Sequence, residues 1–440
     1  MGTDRPTGGD GGEGRGEPGE ARAAARRAID AVWRVEAPRI TGALARMLGD
    51  LDRAEDLVQH ALMVALERWP ATGIPESPGA WLLTVARNRA RDELRRGAMK
   101  ERRHGVLAAD AEADAGAGEL EARVDDRVGD DVLRLVLATC HPILPRASRV
   151  ALTLRLVGGL TTEEVARALL VAEPTLAQRL VRAKRTLAEA RVPFEVPRGE
   201  ALRPRVEAAL EVIYLIFNEG YAATRGDVWI RVDLCDEALR LARVVAALVP
   251  DDAEAHGLCA LLELQASRAR ARVAPDGEPI LLADQDRSRW DRLLIARGLA
   301  SLARAEALAR PLGPYALQAA IAAAHARAPS VDATEWPRIV ALYDALVELT
   351  GSPVVELNRA VAVSMAHGPE EALPLVDALA DDPALRGYHL LPVVRADLLA
   401  RLGRRADARA ALHHALALCQ NASEEALLRR RLAALAAAEA

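Results

Sequence analysis

The chain has 440 residues, 51% of them hydrophobic and only 3% aromatic, with a formal net charge of −5. That length implies two or three domains with sizeable cores, and the acidic balance excludes an evenly basic nucleic-acid coat, so any basic surface must be local. The four cysteines (Cys140, Cys235, Cys259 and Cys419) form no CxxC pair, which argues against a zinc site or a disulfide framework and fits a reducing cytoplasm.

No basic-then-apolar leader opens the chain, and no apolar run is long enough to span a bilayer, so the sequence predicts a cytoplasmic protein away from the membrane. Ala, Leu, Arg and Glu dominate, and an all-α fold is expected. Residues 1–20 are Gly-rich and polar and read as a disordered tail. Residues 21–97 form a first helical block. Within it, Ala54, Leu57, Val58, Ala61, Leu62, Ala65 and Leu66 share one helix face, with Asp52, Asp56, Gln59 and Met63 away from it. After a Pro-rich loop from Trp69 to Pro78 comes PGAWLLTVARNRARDELRR. Trp81 is expected to open that helix, with Leu82, Val85 and Ala86 inward. Arg87, Arg91 and Arg95 are four apart and stack on one face, flanked by Asn88 and Asp92. A basic face beside an aromatic suits DNA, above all strands being unpaired; a solvated arginine face is the competing reading.

Residues 98–130 read as a linker. Between Asp110 and Asp131 the acids Asp110, Glu112, Asp114, Glu119, Glu121, Asp125, Asp126, Asp130 and Asp131 face only Arg123 and Arg127, the pattern of a solvated tether. A second helical block covers residues 131–192. Cys140-His141-Pro142 within it reads as a buried thiol and a helix-breaking proline. Further on stands GLTTEEVARALLVAEPTLAQRLVRAKR. Thr161 or Thr162 can cap a helix with Glu163 and Glu164 in its first turn. Val165, Ala168 and Leu169 form its buried stripe. The chain turns at Leu170 to Ala172, and a second helix begins near Glu173, with Pro174 suited to its first turn. Leu176, Leu180 and Ala183 face inward; Thr175, Gln178, Arg179 and Arg182 lie outward, followed by Lys184 and Arg185. Two apolar-seamed helices with a basic outer face are what a helix-turn-helix needs; an ordinary helical hairpin is the alternative.

Together these stretches resemble an RNA polymerase sigma factor of the extracytoplasmic-function type. DLDRAEDLVQHALMVALERW is similar to the polymerase-binding helix of that family's region 2. PGAWLLTVARNRARDELRR is similar to its −10 element helix, and GLTTEEVARALLVAEPTLAQRLVRAKRTL to its region 4 helix-turn-helix, which reads the −35 element. The resemblance implies that Asp52, Asp56 and Gln59 dock on core RNA polymerase. It implies that Arg87, Asn88, Arg91, Asp92 and Arg95 lie near −10 DNA, and that the loop from Trp69 to Pro78 accepts a flipped base. Glu173, Thr175, Gln178, Arg179, Arg182 and Lys184 would face the −35 groove of promoter DNA, and the acidic linker would thread the polymerase's RNA channel. The chain departs from the family pattern at Leu170, where a glycine is usual, and at Ala172, where a serine cap is usual. A left-handed leucine costs about 1 kcal/mol or more.

Residues 193–204, rich in proline, read as a hinge, and residues 205–440 as a helical extension. Pro353 to Ala360 is followed by Gly368-Pro369-Glu370-Glu371-Ala372, and Val393 to Ala396 by Gly403 to Ala408, about 36 positions later, in the cadence of tetratricopeptide repeats. A more divergent unit starts at Asp236. A subgroup of these sigma factors carries such an extension, which the resemblance implies regulates the sigma module and is needed for activity. The aromatics Tyr214, Phe217, Tyr221 and Trp229 cluster in this aromatic-poor chain. Asn218, Glu219 and Gly220 are expected to break the helix there, and Arg225, Asp227, Arg231 and Asp233 follow. The aromatics build a first core layer, or Tyr214, Phe217, Asn218, Glu219 and Tyr221 form a regulatory contact with the sigma module or an unknown regulator. No phosphate loop, catalytic triad or metal-ligand spacing is present, so neither an enzyme nor a bound cofactor is expected. The runner-up is a helix-turn-helix regulator with a repeat domain that acts without joining the polymerase.

Overall fold

The computed structural model describes residues 36–103, 128–169, 171–197, 199–222, 229–274 and 278–437. Among them every regular element is helical, and the one bridge of extended backbone joins Val273 and Pro279. The chain divides into two compact units. One holds Met1–Leu135 with Leu187–Glu195; the other holds Val136–Thr186 with Val196–Ala440. The expected tail, the acids from Asp110 to Asp126, and Leu170, Arg225 and Asp227 lie outside the described residues.

The first unit is built from α1 (residues 36–48), α2 (Leu51–Thr72), α3 (Pro78–Arg103) and the start of α4 (Val128–Thr139). Asp50 caps α2 by accepting from the Arg53 N–H at 3.1 Å, as a carboxylate at the positive end of the helix should. Leu51, Ala54, Leu57, Val58, Ala61, Ala65 and Trp69 line its buried face. Leu66, expected on that face, is instead 42% exposed. The buried row runs through Ala61, Ala65 and Trp69, and Leu66 falls at its edge. The expected loop from Trp69 to Pro78 is shorter, because α2 continues through Pro70 to Thr72. Trp81 lies inside α3 rather than at its start, and its ring meets that of Trp69 edge to face at 5.6 Å. Nor does the linker begin at residue 98, for α3 runs on to Arg103. Asp131, read as a linker acid, is buried in α4 and pairs with Arg46 at 3.0 Å and Arg134 at 2.6 Å.

In the second unit the later part of α4 is followed by α5 (Arg146–Leu156), α6 (Thr162–Ala168) and α7 (Glu173–Glu189) up to Thr186. Cys140 is fully buried beside Thr153 at 3.3 Å, and burial pushes its thiol up to about 11. The extension then runs through α8 (Leu202–Tyr221), α9 (Val232–Leu248), α10 (Ala253–Ala266), α11 (Arg292–Leu308), α12 (Pro314–Arg327) and α13 (Trp336–Thr350). It ends with α14 (Pro353–Ala366), α15 (Pro369–Ala378), α16 (Leu390–Arg401), α17 (Arg405–Leu418) and α18 (Ala422–Ala437). Consecutive helices pack as neighbours, the pattern of stacked hairpins that bury a continuous core. Gly368 and Gly403, at φ 104° and 75°, close the α14–α15 and α16–α17 turns, where a side-chain-bearing residue would be strained.

The expected break at Asn218-Glu219-Gly220 does not occur: α8 passes through all three and ends at Tyr221. Gly220 serves close approach instead. A Cβ there would meet the Cys235 nitrogen and Leu234 Cβ at 2.8 Å, so α9 packs where any larger residue would push it away.

Candidate functional site

The helix-turn-helix is assembled by local chemistry. Thr161 Oγ1 accepts from the Glu164 N–H at 3.1 Å, and Glu164 Oε2 accepts from the Thr161 N–H at 2.7 Å. This reciprocal capping box satisfies two donors that the start of α6 would otherwise leave orphaned. At the next helix the cap position is Ala172, whose carbonyl accepts from Leu176 N–H at 3.0 Å but whose methyl can cap nothing. Val165 and Ala168 of α6 and Leu176, Leu180 and Ala183 of α7 are buried, as the apolar seam of a helix-turn-helix requires. Glu173, Thr175, Gln178 and Arg182 are exposed, with Arg179 and Lys184 partly so. Val181, not among the expected contacts, lies on this face and is 60% exposed. The helical period at Gln178 and Arg182 would have found it. Replacing Thr161 with Ala is expected to destabilise this unit by about 1 kcal/mol, read from its thermal unfolding; an unchanged melting curve would remove the capping box from the account.

The first unit presents two faces. On α2, Asp52 and Asp56 are exposed and Gln59 is partly so; Met63, at 59% exposure, continues the same row. On α3, Asn88, Asp92 and Arg95 are exposed, and Arg87 and Arg91 are partly so. Glu93 draws Arg89 (3.5 Å) and Arg53 (3.8 Å) to the side, whereas Arg91 and Arg95 enter no ion pair among the described residues. The loop of residues 73–77 carries Ile74 at 45% exposure.

The regulatory candidates lie on two sides of α8. Glu219 pairs with Arg231 at 2.9 Å, and Arg231 donates to the Ala168 carbonyl at the end of α6. Two further arginines reach helix-end carbonyls. Arg205 donates to the Leu137 carbonyl in the last turn of α4 at 2.7 Å, and Arg240, held by Glu237, donates to the Val157 carbonyl just past α5 at 2.7 Å. Three arginines of the extension thus meet the C-terminal carbonyls of three successive helices, the groups a helix leaves unpaired and the end where a cation is favoured. Glu211 of α8 adds a fourth tie, accepting from Arg149 at 3.0 Å and from Arg146 Nε at 2.9 Å. Burial works upward on the Glu211 carboxyl, but the two guanidinium groups hold it below its ordinary value.

Tyr214, Phe217, Asn218 and Tyr221 face the other way. With Gln265 and Gln318 they line a concavity of about 430 Å³. Phe217 stacks on Tyr221 at 5.3 Å, the Tyr214 hydroxyl donates to Gln318 and the Tyr221 hydroxyl to Gln265, both at 2.9 Å. Arg272 lies 3.5 Å from the Tyr221 ring centre and 5.5 Å from that of Trp229. The aromatics therefore serve both as core and as the wall of a groove.

The family described as Sigma-70 region 2 matches residues 32–99, and Sigma-70, region 4 matches residues 134–187. A family of unknown function (DUF6596) matches residues 205–306. The chain is 46% identical over 404 residues to the uncharacterized protein R00370 of Rhizobium meliloti, covering 91% of this chain and 94% of that one. It is 33% identical over 156 residues to the ECF RNA polymerase sigma factor SigK of Mycobacterium ulcerans, covering 34% of this chain and 78% of that one. To the probable ECF RNA polymerase sigma factor SigI of Mycobacterium tuberculosis it is 30% identical over 169 residues, 38% of this chain and 57% of that one. No solved structure gives a significant match.

Proposed function

The chain belongs to the extracytoplasmic-function RNA polymerase sigma factors, non-catalytic factors of transcription initiation, and on that premise we propose how its residues divide the work. Asp52, Asp56 and Gln59 on α2 bind core RNA polymerase. Arg87, Asn88, Arg91, Asp92 and Arg95 on α3 handle −10 DNA. Glu173, Thr175, Gln178, Arg179, Arg182 and Lys184 on α7 read the −35 element of promoter DNA. The extension sets activity by holding region 4 in a folded, DNA-competent form, and an unknown regulator would act on it through the groove at Tyr214, Phe217, Asn218 and Tyr221.

The observation that carries the role of the extension is the placement of its arginines. They sit on the helix ends at Leu137, Val157 and Ala168, while Thr175, Gln178 and Arg182 remain exposed. An extension that inhibited by cover would bury those side chains. The runner-up, a regulator that binds duplex DNA without joining the polymerase, leaves the region 2 match and the acidic face of α2 without a role.

In vitro transcription with core polymerase on a promoter library tests the assignment. If Arg179 pairs with a guanine edge, Arg179→Ala is expected to remove about 1–3 kcal/mol of discrimination at one −35 position. If Arg182 contacts phosphate, Arg182→Ala should weaken all promoters evenly and reduce the salt dependence. Unchanged transcription by both variants would remove α7 as the −35 reader.

A further inference from the structure

The end of the extension brings together three side chains able to bind a metal, although sequence spacing shows no ligand pattern. His389 directly precedes α16, Cys419 directly follows α17, and Glu424 lies in the first turn of α18. One ligand atom from each, imidazole nitrogen, thiol sulfur and carboxylate oxygen, lies within 4.8 Å of the other two. No other group of three or more such side chains converges among the described residues. His389 and Glu424 are only 20% and 13% exposed.

The geometry between His389 and Glu424 is not that of an ordinary hydrogen bond. Nε2 is 2.9 Å from Glu424 Oε2, yet this buried nitrogen has no aligned hydrogen-bond partner. Two donor atoms that are close but not aimed at each other suit ligands aimed at a third point between them. Tetrahedral ligands about 2.0 Å from one ion stand about 3.3 Å apart. The backbone around them is held in place. Asn421, 1% exposed, accepts from the Ser423 and Glu424 N–H groups at 3.0 and 3.2 Å, and its carbonyl accepts from Cys419 Sγ at 3.5 Å. Such supporting contacts orient ligands.

We propose that His389, Cys419 and Glu424 form a zinc site that ties the start of α16 to the joint between α17 and α18. A thiolate and an imidazole disfavour calcium and magnesium, which take oxygen ligands, and with one carboxylate they suit Zn²⁺. The charges close as well: Zn²⁺ with one thiolate, one carboxylate and a neutral imidazole is neutral, and a neutral site is tolerated in a partly buried place. The Cys419 proton leaves to solvent as the metal binds, and water fills the fourth position. The other three cysteines are buried, and burial pushes their thiols up to about 11 for Cys140 and about 12 for Cys235 and Cys259; none belongs to such a group.

The test uses the full chain, freed of metal by chelation. Titration with Zn²⁺ against a chromophoric chelator should give one tight site per chain. Co²⁺ alone should give the charge-transfer absorption of a cobalt–thiolate bond. Cys419→Ser should abolish that absorption, and His389→Ala and Glu424→Gln should each weaken zinc by more than the roughly hundredfold that losing a supporting contact can cost, while Cys259→Ser changes neither. Circular dichroism checks that each variant is folded. Independently of any variant, zinc should protect Cys419 of the native chain from alkylation, read by mass spectrometry. Absence of the cobalt–thiolate band, its survival in a folded Cys419→Ser chain, or unprotected alkylation of Cys419 in zinc would each overturn the site.

Discussion

A chain ending at Val196 is expected to lose promoter-directed transcription, at matched soluble concentration and across a range of polymerase concentrations. Truncation removes Arg205, Arg231 and Arg240 together, and with them the donors to Leu137, Ala168 and Val157. Hydrogen bonds to charged groups contribute about 1.5–3 kcal/mol each. Three of them approach the whole stability margin of a small domain, about 5–15 kcal/mol. Glu211 leaves as well, so that Arg149, whose side chain is 13% exposed, keeps its charge without that partner. Region 4 should therefore melt, and amide exchange over residues 136–186 should rise, while binding to core polymerase through region 2 persists. Point variants separate the two sides of α8. Glu219→Ala loosens Arg231 from the Ala168 carbonyl and should reproduce much of the truncation effect. Asn218→Ala, exposed at the groove, should leave basal transcription intact. Full-rate transcription by the truncated chain would sink the holding role; a raised rate would mean that the extension inhibits instead.

Asp56→Arg is expected to abolish binding to core polymerase with no loss of helix. Asp56 is exposed on α2, four residues after Asp52, so an arginine there gains an i,i+4 partner and the helix does not suffer. Reversing a charge inside a complementary interface sets like charges against each other, which costs several kcal/mol, and losing a paired charge costs about 2–5 kcal/mol. Both effects act on the complex and neither on the fold. Binding to labelled core polymerase, followed by anisotropy beside far-ultraviolet circular dichroism, reads them separately. Wild-type affinity would rule out this face of α2 as the docking surface, and a loss of helicity would mean that Asp56 has a structural role instead.

Much was legible along the chain because it depends on neighbours three and four residues apart. The stripe of Leu57, Val58, Ala61 and Ala65, the seam of Leu176, Leu180 and Ala183, the threonine cap of α6 and the proline in the first turn of α7 are all local, and each is found where periodicity and capping chemistry put it. The resemblance to region 2 and region 4 was legible for the same reason, since those motifs are continuous helices with outward side chains.

Helix ends under tertiary pressure were not legible. Glycine after two polar residues reads as a stop, yet α8 runs through Gly220 because packing against Leu234 and Cys235 requires a residue without a side chain there. The sequence alone determined an all-helical chain with a helix-turn-helix, an arginine row and repeat-like hairpins, since helical period and capping need only nearby residues. The tertiary structure alone decided that Glu219 faces region 4 while Tyr214 and Asn218 face a groove, that Arg205, Arg231 and Arg240 sit on helix carbonyls, and that His389, Cys419 and Glu424 meet. These contacts join residues tens of positions apart, and a helical period specifies which face a side chain occupies but not which distant element comes to lie against it.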